Sequence, residues 1–270
     1  MLEGKKPKKI TDLSKLAKGQ LIGNYPAAIL TSLTFVLIEF TLTLFSAGNS
    51  STITQSGYLM SLLITVILDL LFGVLVYGQS SYFLKLSRGE KAAVSDLFSG
   101  FKGLFDKSIL VQTVFTAFSC LGLIPSILYQ FGLILIPEEY LLIFSYAAIL
   151  FPYLINFLAK LYFGLSFYIL IDNPEWNVTS IFKESLYLMK KQKGRLLLTY
   201  LSALPIMLLS FLSCGIGIFW FYPYFQTLLA NFYLDCKSEE GWSLNNVNSD
   251  DPSNPGSQNP TDSSTLDIRL

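Results

Sequence analysis

Six apolar stretches govern what this chain can fold into. They run over about 25–47, 57–84, 108–131, 140–171, 195–213 and 218–235. Each approaches or exceeds the roughly 20 residues an apolar helix needs to cross a bilayer. Only 14% of the 270 residues are charged and 52% are hydrophobic, with a mean hydropathy of +0.50. A soluble domain carries about a quarter charged residues. The pattern therefore predicts an all-α, polytopic membrane protein with six transmembrane helices. The first run is too long for the apolar core of a signal peptide. Phe45 also stands where cleavage after Ala47 would need a small residue, so the first span is read as uncleaved.

The basic residues set the orientation. Of nineteen Lys and Arg, eighteen fall before span 1, between spans 2 and 3, between spans 4 and 5, or after span 6. The nineteenth, Lys160, lies inside span 4, and the three opposite-side links hold none. The positive-inside rule then places both termini in the cytoplasm.

Each of the first three basic segments carries an apolar stripe at helical spacing. The stripes are Ile10, Leu13, Ala17 and Leu21; then Val94, Leu97, Phe98, Phe101 and Phe105; then Val178, Ile181, Phe182 and Met189. Asp12, Lys15 and Lys18 face away from the first, and Lys183, Glu184, Lys190 and Lys191 from the third. These read as amphipathic helices lying in the cytoplasmic interface, one before each hairpin of spans. Asn177 is placed to cap the third. Ile10, Val94 and Val178 stand 84 residues apart, as do Leu13, Leu97 and Ile181. Gly78-x-Ser-x-Tyr and Gly164-x-Ser-x-Tyr close spans 2 and 4. A fixed period of this kind marks repeated units, here three surface helices each with a hairpin. Residues 1–24 form a basic N-terminus, 25–236 the membrane domain and 237–270 a tail. The tail is rich in Asn, Ser, Asp and Pro and is expected to be disordered. Span 4 is longer than a perpendicular helix needs, which predicts tilt or a kink near Pro152. Cys214-Gly215-Ile216-Gly217 predicts a tight turn between spans 5 and 6.

Several runs carry a family resemblance: GNYPAAI, SSYFLKLSRGEKAAVSDLFSGFK, YILIDNPEWNVTSIFKESLYLMKKQKGR and GIGIFWFYPYFQTLLANFY. Over about residues 10–240 the chain resembles bacterial integral membrane proteins grouped as domain of unknown function nine-seven-five. It departs from their common Pro-Gly at the end of span 3, because Pro125 is followed by Ser126 and Pro137 by Glu138. A more distant resemblance is to the membrane domain attached to some glycerophosphodiester phosphodiesterases. The resemblance implies a multi-pass protein of the bacterial cell membrane and supplies no catalytic residues.

Candidate functional residues are few. The chain has no histidine, which removes the commonest general base and metal ligand. Cys120, Cys214 and Cys236 are scattered and read as free thiols. No phosphate loop, nucleophile elbow or metal-ligand spacing is present, so neither enzyme activity nor a cofactor or metal is expected. Three ionisable residues lie inside spans: Glu39, Asp69 and Lys160. Each costs about 2.5–3.5 kcal/mol at a helix centre, so each needs a partner or water. Asp69 lies about 24 Å along its helix from Lys85, and Lys160 about 18 Å from Asp172. Those depths suggest an Asp69–Lys160 pair, either structural or part of a solute path. Glu39, about 12 Å from the outer end of span 1, would face an outer cavity. Gln112, Asn156, Gln226 and Asn231 are read as interhelical hydrogen-bonding residues. Lys183, Lys190, Lys191, Lys193 and Arg195 form the densest basic cluster, which either contacts anionic lipid or only fixes topology. The expected partners are the bilayer, anionic lipid or another membrane protein, and not nucleic acid. The reading is a non-enzymatic protein of envelope or lipid organisation, or the membrane partner of another protein. The alternative is a transporter or exporter that uses Glu39, Asp69 and Lys160.

Overall fold

The computed structural model describes residues 8–48, 55–190, 192–213 and 215–249, and over these the secondary structure is helical with no strand. The elements are α1 (Ile10–Leu21), α2 (Tyr25–Gly48), α3 (Gln55–Arg88), a 3₁₀ helix (Val94–Lys102), α4 (Phe105–Gln130), α5 (Glu138–Phe163), α6 (Ser166–Asp172), α7 (Val178–Met189), α8 (Lys193–Leu212) and α9 (Ile218–Ser249). Five segments are long and apolar enough to cross a membrane: Tyr25–Phe45, Ser56–Arg88, Phe105–Gln130, Glu138–Asp172 and Lys193–Leu212.

The long helices close into a ring. α2 packs on α3, α3 on α4, α4 on α5, α5 on α8 and α8 on α9, and α9 returns to both α2 and α3. Sequence and position agree around it. α5 buries only Ala159 and exposes Leu142, Ile143, Ile149, Leu150 and Leu154, the surface a lipid-facing helix needs. α9 is the opposite. Leu228, Ala230, Phe232 and Tyr233 are fully enclosed among neighbouring helices. A helix surrounded by protein need not be lipid-compatible, and α9 carries Gln226, Thr227 and Asn231. That polarity keeps it out of the five apolar candidates, although a helix stands where span 6 is expected.

The tightest packing lies at the end of the ring where the basic residues gather. Tyr82, Phe83, Leu84, Ile169, Leu170, Phe232 and Tyr233 form its core. The amphipathic helices complete this core instead of turning their stripes to lipid. Leu13, Ala17 and Leu21 of α1 are buried, with α9 as the helix that α1 contacts most. Ile181, Ser185 and Met189 of α7 are buried, and α7 packs on α5 and α6.

The middle amphipathic segment departs further from expectation, because it is 3₁₀ and not α. Three residues per turn place 94, 97 and 100 on one face and 98 and 101 on another. Leu97 and Gly100 are accordingly buried, while Phe98, Phe101 and Phe105 stack outward at 6.5 and 6.0 Å. The segment sits directly on α3. A Cβ at Gly78 would overlap the Leu97 carbonyl, and one at Gly100 would lie 2.6 Å from the Val74 carbonyl oxygen.

Other local expectations are also revised. α5 passes through Pro152, which lies against Gly122 of α4, and the break in span 4 falls at Gly164–Leu165. The Asn177 side chain makes no capping bond, and its backbone carbonyl accepts from Ser180 and Ile181 instead. The turn at Gly215 is as expected, with φ +83° and Gly217 N–H donating to Ser213 Oγ at 2.8 Å. α9 continues past Lys237 to Ser249, because each added residue of an existing helix gains a backbone bond for little extra ordering. Cys214, Lys191 and the tail from 250 to 270 lie outside the described residues.

Candidate functional site

Mid-depth in the ring, Asp69 on α3 accepts from Gln112 Nε2 at 3.2 Å and from Thr116 Oγ1 at 2.5 Å, both on α4. The partner expected from depth, Lys160, makes no ion pair with it within 4 Å. The helix order explains this: α3 packs on α4, and α5 lies beyond α4. Both carboxylate oxygens are therefore held sideways by the immediate neighbour.

Glu39 is nevertheless close enough for the charges of both Lys160 and Asp69 to act on its carboxyl. α2 and α5 share no extensive packing. Glu39 and Lys160 are themselves exposed on α2 and α5, and Asp69 is half-buried between α3 and α4.

The cluster continues inward through polar aromatics. Tyr222 of α9 lies in the field of Glu39, and its hydroxyl meets Gln79 of α3 at 3.1 Å and the Gln226 side chain. Tyr168 of α6 lies in the fields of Tyr200 and Tyr222. It stacks on Tyr233 at 5.3 Å, and Tyr233 in turn donates to Asp172 at 2.8 Å. Tyr168 and Tyr233 thus connect the packed interior to Asp172 at the basic end of the ring.

That end is tied by two buried aspartates. Asp172 ends α6, where the helix dipole disfavours a negative charge. Arg88 donates to it at 2.5 Å and Lys237 at 2.7 Å, in addition to Tyr233. The ends of α3 and α6 and the middle of α9 meet at this one side chain. Asp235 of α9 pairs with Arg195 at 2.5 Å, and Arg195 also donates to the Lys8 carbonyl at 2.9 Å. This ties α8 and the segment before α1 to α9. Gln20 joins α1 to Ser87 and Asn231 at 2.8 and 2.6 Å. Residue-by-residue reading missed Asp172 and Asp235 as network centres. The available signal was their position, since a carboxylate at the basic end of an apolar helix requires cations.

Of the hydrogen-bonding residues expected between helices, Gln112 meets Asp69, Asn156 meets Ser119 of α4, and Asn231 meets Gln20. The basic cluster divides. Arg195 is committed to Asp235, and Lys193 Nζ lies 3.7 Å from the Tyr162 ring centroid. Lys183 on α7 and Lys190 just past its end are exposed. Among the described residues no three His, Cys, Asp or Glu side chains come together as metal ligands.

Comparison with curated proteins and with solved structures returned no match. The sequence profile of one family matches residues 1–240. The chain belongs to that family, described as Protein of unknown function (DUF975).

Proposed function

We propose that this membrane protein is a non-enzymatic carrier that holds and passes a small charged solute at Glu39, Asp69 and Lys160. The observation that carries the reading is Asp69, a mid-span carboxylate held by Gln112 and Thr116 with no salt bridge to Lys160 to make a closed structural pair. Ionisable groups inside a membrane are costly, and where they face a shared space they mark solute paths. In this reading α9 is the sixth span and the helices form three hairpins. Both termini lie on the cytoplasmic side of a bacterial cell membrane, following the positive-inside bias. A fluorescent reporter that matures only in the cytoplasm, fused after Leu270, tests that topology. The carrier itself is tested in proteoliposomes loaded by incubation with a mixed solute pool and analysed by mass spectrometry. A solute whose uptake falls at least tenfold in both Glu39→Gln and Lys160→Met, at equal protein levels, supports it. A pool in which no solute behaves this way refutes it.

A second reading, organisation of envelope lipid or service as the membrane partner of another protein, is favoured by exposed Lys183 and Lys190 and by the broad apolar face of α5. It predicts that anionic lipid co-purifies with the protein and is lost from a Lys183→Glu, Lys190→Glu variant. Equal lipid content in the two proteins counts against it.

A further inference from the structure

A groove of about 640 Å³ runs from α1 along the seam between α8 and α9. Its size falls in the range of about 300–1,000 Å³ typical of small-ligand sites. α9 packs on both α2 and α8, while α2 and α8 share no extensive packing, and α9 thus forms the floor. Ile206, Leu209 and Ser210 of α8 and Trp220, Phe221 and Tyr224 of α9 line the walls. Positions three and four apart lie on one face of a helix, so the groove follows the helix axes. That is also the direction of the acyl chains in a bilayer. Leu209 and Trp220 are exposed, and the groove opens sideways to lipid.

Its two ends differ. At one end α1 buries Leu13, Ala17 and Leu21 and contacts both α9 and α8. Ser14, Lys18 and Ile22 share another face of α1, and that face overhangs the groove. The Ser14 and Tyr224 hydroxyls are 2.8 Å apart, and Lys18 Nζ lies 5.8 Å from the Tyr224 ring centroid. Among the described residues, Lys18 is the only charged side chain lining the groove and forms no ion pair. At the other end α8 and α9 touch, since a Cβ at Gly217 would lie 2.7 Å from the Ser210 Cα. The hydroxyls there are spent inside the chain: Ser210 Oγ donates to the Ile206 carbonyl and Ser213 Oγ to the Ser210 carbonyl, each at 2.8 Å. An unpaired cation thus heads a trough of apolar and self-satisfied groups. Left empty, such a trough would forfeit the dispersion contacts of its walls. A soluble anion would use Lys18 and waste the trough, and an uncharged chain would do the reverse.

We infer that the groove is a binding site for an anionic phospholipid of the leaflet that faces α1. The lipid phosphate sits at Lys18, and one acyl chain lies along Ile206, Leu209 and Phe221. This goes beyond both readings above, since the groove includes none of Glu39, Asp69, Lys160, Lys183 and Lys190. The test is photolabelling of the full-length protein in vesicles of equal parts phosphatidylglycerol and phosphatidylcholine. One or the other lipid carries a diazirine in its acyl chain, and labelled peptides are mapped by mass spectrometry. The outer face of α5, with Leu142, Ile149 and Leu154 exposed, reports contact with bulk lipid. The preference for phosphatidylglycerol at Ile206, Leu209 and Phe221 should exceed that on α5 by roughly fivefold, the effect of one lysine beside an anionic headgroup. Lys18→Gln should bring the two preferences together, while Lys18→Arg retains the difference. The Lys183→Glu, Lys190→Glu variant should leave it unchanged. Misfolding would alter the labelling of α5 as well, which separates it from loss of the site. Equal preference at the groove and on α5 in the parent overturns the inference, as does a preference that survives Lys18→Gln. Its loss in the Lys183→Glu, Lys190→Glu variant would assign it to general surface charge and overturns the site. Labelling of α5 with none in the groove would mean that protein fills it, and also overturns the inference.

Discussion

Removing the carboxylate at Asp172 separates the two kinds of partner that meet there. The side chain is 6% exposed and receives Arg88, Lys237 and Tyr233. Arg88 and Lys237 are 31% and 49% exposed, so both can turn to water when the carboxylate goes. Exposed pairs of this kind contribute about 0–1 kcal/mol each. Tyr233 is 1% exposed and has no such recourse. An orphaned buried hydroxyl costs about 1–3 kcal/mol. Asp172→Ala should therefore destabilise by about 2–4 kcal/mol, a fall in Tm of roughly 5–10 °C. Asp172→Asn keeps an acceptor for the phenol and should cost about 1 kcal/mol. Tyr233→Phe leaves the carboxylate with both cations and should cost about 1 kcal/mol or less. In the double variant Asp172→Ala, Tyr233→Phe no hydroxyl is left orphaned. The loss should fall short of the sum of the single variants by about 1 kcal/mol or more. Cys236, buried one residue from Lys237, provides the assay. In a background with Cys120→Ser and Cys214→Ser, a maleimide that fluoresces on reaction with its thiol reports unfolding of this end of the bundle. Additive losses, or equal melting of the Ala and Asn variants, would refute the assignment of the cost to Tyr233.

The remaining predictions concern packing and the mid-membrane cluster. Gly78→Ala drives a methyl into the Leu97 backbone, which cannot rotate aside. It should cost at least about 1–3 kcal/mol and reduce the yield of monodisperse protein. Gly89→Ala meets open space and only a left-handed backbone at φ +75°, so its cost should be smaller, about 1–2 kcal/mol, in the same melt. Asn177→Ala should shift stability by less than about 0.5 kcal/mol, whereas loss of a true side-chain cap costs about 0.5–2 kcal/mol. Asp69→Leu leaves the buried Gln112 amide without its Asp69 partner and should cost about 1–3 kcal/mol. Asp69→Asn keeps an acceptor and should melt within about 1 kcal/mol of the parent, so a loss of solute uptake in that variant reports charge and not folding.

The helical class and the apolar helices were legible because length and apolarity are local properties. The position of the turn at Gly215 was legible for the same reason. The shape of the middle amphipathic segment was not. Val94, Leu97, Phe98, Phe101 and Phe105 fit an α-helical stripe as text, yet the close seat on α3 at Gly78 selects a 3₁₀ turn and sends three phenylalanines outward. The fate of the stripes on α1 and α7 was equally hidden. Amphipathicity identifies the buried face, but whether lipid or protein covers it depends on helices distant in sequence. Depth counting placed Asp69 and Lys160 at similar levels without knowing that α4 lies between their helices. The three intramembrane charges were found because an ionisable residue in an apolar run is conspicuous. The aspartates at 172 and 235 lay among many charges and were not.

The 84-residue spacing explains part of that concealment. Leu13, Leu97 and Ile181 keep this spacing and are all buried, so apolar positions preserve it through similar residues. Arg88 and Asp172 stand at the same spacing and are bonded to each other. Two positions related by a repeat that meet at its centre cannot hold identical charges without repulsion. Two arginines or two aspartates there would face each other at contact distance in a partly buried setting, where such repulsion is poorly screened. A stable centre therefore selects opposite charges at equivalent positions. A comparison that searches for likeness passes over such a pair. The ionic tie between α3 and α6 is where the 84-residue spacing leaves no likeness between the residues and where their contact makes the strongest demand on identity.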